Sequence, residues 1–240
     1  MSTLPSYKIF PLGDSALTID FGNVIDPLLN ENVISLFHFF KDHPLPGMIE
    51  SVPAYSSLTI YYDLIEVRKK INGHSTVFTR LKREIDDLLK TELKKAEINE
   101  RIVPIPVCYD REFAIDIEKI ATSGNISVND VINIHSGENY KVYMLGFLPG
   151  FAYMGQVNEK ISFERKAQPE SIKAGSVGIA GRQTGIYPFD SPGGWQIIGR
   201  TPLKIFNSQA TDPALLQAGD IVQFYSITKD EFKDIKGRIA

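Results

Sequence analysis

The chain has 240 residues, 43% of them apolar and 23% charged, with a net charge of −3 at pH 7 and one cysteine, Cys108. That size suits one large domain or two small ones with ordinary globular composition. The weak acidity leaves no basic footprint for nucleic acid, and no window approaches the roughly 18 apolar residues of a membrane span. A lone cysteine builds no internal disulfide framework, and the start at Met1-Ser2-Thr3-Leu4-Pro5 lacks a basic, then apolar, secretion signal. These features point to a cytoplasmic protein without nucleic-acid or membrane partners.

The first hundred residues follow an α+β pattern. Tyr7–Phe10 and Ala16–Phe21 alternate like strands around the turn-prone Pro11-Leu12-Gly13-Asp14. Asp26-Pro27 is an N-cap followed by a first-turn proline. Leu29, Val33, Leu36, Phe37 and Phe40 then recur at spacings of three and four, which predicts an amphipathic helix ending before Pro44. Ser57–Tyr62 is strand-like. A second helix is predicted over about Ser75–Lys95, with Val77, Leu81, Ile85, Leu88, Leu89 and Leu93 on one face and a solvated charged face opposite. Two helices on one small sheet form the economical arrangement.

A boundary falls near Lys95–Arg101, dividing the chain into residues 1–98 and 99–240. Beyond it, Ile102–Tyr109 is β-rich but holds Pro104 and Pro106, which predicts an edge or entry strand. Two short helices follow, the second opened by the capping-box spacing of Ser127 and Asp130 and running to His135. After Tyr140 come short β-runs broken by Gly and Pro, closing with Ile221–Ile227, a pattern of a barrel or sandwich. Eleven of the 18 glycines lie between Gly137 and Gly199, interleaved with Phe, Tyr and Trp. Such strings suit a sheet whose bends form a concave, partly apolar site.

Familiar catalytic signatures are missing. The chain has no P-loop for ATP, no nucleophile elbow and no histidine pair at metal-ligand spacing, so no metal is expected. Gly175, Gly178, Gly181 and Gly185 suggest either a phosphate loop or a glycine-rich strand pair. Cys108 fits a small buried hydrophobe. The polar residues within the glycine and aromatic strings are His135, Arg165, Lys173, Arg182, Gln183, Tyr187, Gln196 and Arg200, types that bind carboxylates, amides and phosphates. His135 is either a general acid–base or a helix-end residue. Arg182 and Arg200 are site cations or rim residues, and Trp195 is a pocket wall or a barrel plug.

Three stretches are specific: Gly146-Phe-Leu-Pro-Gly-Phe-Ala-Tyr153, Gly181-Arg-Gln-Thr-Gly-Ile-Tyr-Pro188, and Ser191-Pro-Gly-Gly-Trp195 through Ile198-Gly-Arg-Thr-Pro202. With Leu12-Gly13-Asp14, Val52–Leu58 and Ile105–Tyr109, they make the chain resemble the family that includes the 5-oxoprolinase B subunit, the kinase inhibitor KipI and allophanate hydrolase subunit 1. The resemblance implies an α+β chain: a small α/β-sandwich N-terminal domain and a cyclophilin-like β-barrel C-terminal domain. It implies one member of an ATP-dependent enzyme complex that opens 5-oxo-L-proline to L-glutamate. ATP would be co-substrate, and the partners a larger protein like the 5-oxoprolinase C subunit, together with a third protein like its A subunit. A KipI-like inhibitor that binds a histidine kinase is the alternative, and a prolyl isomerase ranks last.

On that implied reaction, Gln183, Tyr187 and Arg200 would stabilise developing charge and His135 would relay protons. Phe147, Pro149, Gly150, Lys173, Gly181, Arg182 and Trp195 would bind substrate. One departure stands out: Glu170 occupies a place where relatives carry an arginine, and Lys173 a place where they carry a proline. A basic residue is thereby lost from a possible anion site, unless Lys173 replaces it.

Overall fold

Alternating apolar residues build a four-stranded antiparallel sheet in the first of two units, Met1–Asn99, of the computed structural model, which describes residues 5–70, 75–91 and 100–239. Its elements are β1 (Lys8–Pro11), β2 (Ala16–Asp20), α1 (Pro27–Asp42), β3 (Met48–Pro53), β4 (Ser57–Tyr62), α2 (Leu64–Lys69) and α3 (Val77–Thr91), with strand order β1-β2-β4-β3. Ile9, Leu17, Ile19, Leu58 and Ile60 share a core with Val33, Leu36 and Phe40 of α1 and Leu81 and Ile85 of α3. Burying one face of each element is what holds the sheet and helices together.

Local chemistry fixes the ends. The Asp26 carboxylate accepts from the Leu29 N–H at 2.8 Å to start α1. The Asn30 side chain, buried on that helix, donates to the carbonyls of Ala54 and Tyr55 at 3.1 Å each, tying α1 to the turn between β3 and β4. The unexpected α2 is a six-residue helix capped by Asp63, too short to show a period. Leu93, in the tail of the expected second helix, and His74 lie outside the described residues.

The second unit, Glu100–Ala240, holds β5 (Ile102–Cys108), α4 (Ile117–Ser123), α5 (Val128–Ser136), β6 (Asn139–Leu145), β7 (Ala152–Gly155), β8 (Glu170–Ile172), β9 (Ser176–Ala180), β10 (Gln183–Ile186), β11 (Ser191–Gly193), β12 (Gln196–Arg200), β13 (Ile221–Ile227) and α6 (Lys229–Ile239). Seven strands close a barrel in the order β10-β7-β6-β13-β5-β12-β9, with β8 and β11 paired beside it. Ser127 and Asp130 form the expected capping box at the start of α5.

Of the edge or entry position expected for β5, the strand does enter the second unit as its first element, and the edge position needs correction. This strand pairs in parallel with β13 along its whole length, but meets β12 only at Cys108 and Arg200. Pro104 and Pro106 therefore sit inside a closed barrel where one side asks for few backbone donors. The α6 helix, also unexpected, starts at a Thr228–Glu231 box and stacks Phe232 on Phe113 at 4.6 Å.

His135 sits in the last turn of α5, the helix-end position expected for it, but its ring enters this barrel core and takes neither a terminal carbonyl nor a place in an open site. Its ring is fully buried and stacks on Phe224 at 4.6 Å and Tyr140 at 5.2 Å. Nδ1 lies 2.8 Å from the Tyr109 hydroxyl and Nε2 lies 3.0 Å from Thr184 Oγ1. Thr184 Oγ1 donates its hydrogen to the Gly178 carbonyl at 3.1 Å, so it accepts from His135. The tautomer follows: Nε2 carries the proton, and Nδ1 accepts from Tyr109. Burial pushes the imidazole down to about 3, so it stays neutral and serves as a structural polar link.

This depression ties stability to pH. Above about 6.5 the folded and unfolded imidazoles are both neutral; below it the unfolded one takes a proton that the folded one refuses until about pH 3. Stability from this residue is full above pH 6.5 and falls through that window, by about 2 kcal/mol at about pH 5. Urea unfolding of the wild type and of His135→Leu between about pH 7 and about pH 5 reads it: the variant is less stable at neutral pH and loses that part of the slope.

Candidate functional site

Period-two alternation makes the two strands of the β9–β10 hairpin carry different chemistry on each face. Val177, Ile179, Thr184 and Ile186 point into the barrel, where Thr184 meets His135. Ala180, Gln183 and Tyr187 line a cleft on the outside, with Phe151 and Trp195 in a separate small core. Gly178 and Gly185 pair across the hairpin on this outer face. A Cβ at Gly178 would lie 3.0 Å from Trp195 Cβ, and one at Gly185 would lie 3.0 Å from both Phe151 Cζ and Trp195 Cζ3. These two glycines make room for rings, as a glycine-rich strand pair does. Gly181, at φ +58°, is the first residue of the two-residue turn and suits its positive dihedral.

The cleft has a volume of about 550 Å³. Phe151 is the hub of its walls, edge-on to Tyr153 at 4.9 Å, Tyr187 at 5.2 Å, Trp195 at 5.3 Å and Phe147 at 5.7 Å. Phe147 stands at the rim, 63% exposed, with the left-handed φ of +65° that a non-glycine residue rarely adopts. Burial raises the Tyr153 and Tyr187 phenols; Arg165 pulls Tyr153 partly back, and the Trp195 backbone hydrogen bond and then Arg165 do so for Tyr187, and both stay protonated at neutral pH.

Arg165 supplies the cleft's cation, beside Glu164. Its guanidinium lies over Gly194, and among the described residues no hydrogen bond or ion pair engages it. The backbone on either side is clamped: the Gln196 amide donates to the Glu164 carbonyl at 2.8 Å, and the Lys166 N–H donates to the Gly194 carbonyl at 2.7 Å. The Lys166 side chain, 8% exposed, pairs with Asp116 at 2.8 Å and Glu170 at 2.7 Å. Asp116 in turn accepts from the Ile197 N–H at 2.7 Å, next to Gln196. Burial opposes the Lys166 charge, but the two carboxylates outweigh it and hold its pKa above the usual lysine range.

Of the residues expected at a site, the cleft gathers Phe147, Gly181, Gln183, Tyr187 and Trp195, the last as a wall and not a barrel plug. It does not gather His135. Arg200 lines a different groove, Lys173 pairs with Asp190 at 2.8 Å, and Arg182 pairs with Glu159 at 3.3 Å. Pro149 is exposed, and Gly150, at φ +82°, packs under Phe206; neither lines the cleft. Glu170 neutralises Lys166 instead of weakening an anion site. Phe151, Tyr153, Glu164 and Arg165 also line the cleft, although no specific role is expected of them from sequence. The signal for the two aromatics is their membership of the Gly146–Tyr153 string; Arg165 is one of the polar residues singled out beside the strings, and Glu164 carries no signal beyond charge.

Chemically, the cleft can stack a small planar group between rings, hold a carboxylate with Arg165 and hydrogen-bond an amide through Gln183. Among the described residues its lining offers no Ser, Thr, Cys, His or Lys, so it resembles one wall of a site more than a complete one.

Residues 7–216 match the family described as carboxyltransferase domain, subdomain C and D. The chain is 46% identical over 232 residues to the 5-oxoprolinase B subunit of Bacillus subtilis, covering 96% of this chain and 97% of that one. It is similar to the solved structure of TTHA0988, with TM-score 0.75 and 32% identity, across 88% of this chain but only 40% of that longer one. The urea carboxylase of Kluyveromyces lactis shares the fold with TM-score 0.75 at 23% identity, over 99% of this chain and 23% of that one. Among the described residues no helix is long and apolar enough to cross a membrane.

Substitutions at two positions probe this architecture, the first through Trp195, the sole tryptophan. A Cβ at position 193 would lie 2.4 Å from the Tyr187 hydroxyl and 2.7 Å from its ring, so Gly193→Ala displaces Tyr187 and shifts the Trp195 emission. Lys166→Met strands Asp116 and costs about 3 kcal/mol in denaturant unfolding, while Lys166→Arg keeps most of the stability.

Proposed function

The chain belongs to the family of the carboxyltransferase domain, subdomain C and D, and from that premise we propose that it is the B subunit of an ATP-dependent 5-oxoprolinase-type complex. Its reaction converts 5-oxo-L-proline to L-glutamate in the cytoplasm, together with a larger companion protein and a third one. The observation that carries this reading is Arg165, an unengaged guanidinium set among five aromatic rings and the Gln183 carboxamide. A five-membered lactam with one carboxylate matches that set in charge, size and planarity.

In this reading Arg165 binds the carboxylate as a two-pronged donor, Gln183 meets the ring amide, and Phe151 and Trp195 flank the ring. The lactam is unstrained, so its carbonyl oxygen must be activated. ATP transfers its terminal phosphoryl group there, water attacks the carbon, the C–N bond breaks and the nitrogen leaves as the amine. A second water releases phosphate, giving L-glutamate and ADP. The cleft holds and desolvates the substrate; the face turned to the larger companion receives the ATP. Phe147, exposed on the rim in a strained conformation, is where that companion closes the cleft.

Reconstitution with the two companion proteins tests the assignment. The complete mixture is expected to hydrolyse ATP only when 5-oxoproline is present, and each protein alone is not. Arg165→Ala should raise KM for 5-oxoproline by about 30- to 100-fold, the worth of a charged two-point contact, with little change in unfolding midpoint. Equal activity in that variant, or no 5-oxoproline-dependent ATP hydrolysis at all, rules the reading out.

A further inference from the structure

Arg200, which does not reach the aromatic cleft, opens onto a second groove in the barrel unit. This groove has a volume of about 210 Å³ and shares no lining residue with the cleft. Arg200, Lys204 and Lys236 line it, with Thr201, Gly175 and Phe232 between them and no carboxylate.

The guanidinium is held in place from behind. Its Nε donates to the Ala174 carbonyl at 2.7 Å, and its carbon lies 6.0 Å from the Phe113 ring centre. Among the described residues no partner takes its two terminal nitrogens. Lys236 has none either, and Lys204 makes only a 3.3 Å contact with the Asn207 side chain. The two carboxylates that sense Arg200 are already committed: Asp190 to Lys173 at 2.8 Å and to the Ala174 N–H, and Glu112 to Lys229. Three cations therefore share one lining, and among the described residues none of them makes an ion pair, in a chain whose net charge is −3.

We infer that this groove is an anion site that takes a phosphate group, either free or at the end of a nucleotide. A rigid planar fork beside two flexible ammonium groups suits a tetrahedral dianion: the fork fixes two oxygens and the lysines neutralise the remaining charge. The groove is too small for a nucleoside to enter with its phosphate, so a base and sugar would lie outside it. The inference is independent of the chemistry assigned to the aromatic cleft.

Calorimetric titration of the purified full chain with inorganic phosphate, and separately with ATP, tests it. Saturable binding of at least one is expected, weakening as salt rises. Removing two charges with Lys204→Ala and Lys236→Ala should weaken it at least about 10-fold, a loss of about 1.4 kcal/mol. The paired Lys→Arg variant should retain it, which separates charge from folding, and Arg165→Ala should leave it unchanged. Binding of ATP alone identifies a nucleotide phosphate as the ligand, and binding of phosphate alone a free one. No binding of either, or binding lost with Arg165→Ala and kept in the double lysine variant, overturns the inference.

Discussion

Close approach of aromatic rings to a barrel wall is the constraint on which the rest of this structure hangs. Gly178 and Gly185 face each other across β9 and β10, and the space where their side chains would stand is taken by Phe151 and Trp195. Any larger residue would push those rings away from the wall and undo the edge-to-face set around Phe151. The same two strands direct Thr184 inward to the buried imidazole of His135. One hairpin thus serves two environments, an apolar interior crossed by a satisfied polar chain and an exterior hollow with a cation at its mouth.

Charge is organised by segregation. Lys166 spends its charge on Asp116 and Glu170, close to the backbone that carries Arg165. The pair is buried enough that its worth depends on both partners being present. Its structural effect is to leave the neighbouring guanidinium as the one charged donor of the cleft among the described residues, held by the bond that Gln196 donates to the Glu164 carbonyl and the bond that the Lys166 N–H donates to the Gly194 carbonyl. The second cation cluster arises by the same device: lysines outside the groove pair with the local carboxylates, and among the described residues Arg200 makes no ion pair.

Much of the fold was legible in the residues. Helix α1 follows from its cap at Asp26 and the spacing of Leu36 and Phe40, and the barrel from short strands with glycine punctuation. Two helices escaped. The α2 helix is too short for a period, and α6 buries little beyond Phe232, although the box at Thr228 and Glu231 stands in plain view. The site was half legible. Alternation along Gln183–Tyr187 could be read, but not which face of the hairpin would be outside, and so His135 was drawn to the cleft by sequence proximity alone. Arg165 lies on an irregular segment whose position is fixed by residues about thirty places away, which no local pattern reveals.

The seam between β5 and β12 has its own consequence. Six of the seven strand junctions in the barrel are ladders of several residue pairs, but this one is a single bridge between Cys108 and Arg200, beside a strand that prolines deprive of donors. The cylinder is therefore a sheet rolled up and fastened by one stitch. Parting the strands there would break fewer backbone pairings than at any other junction, and what closes the seam is side-chain packing such as that of Gly199 against Val107.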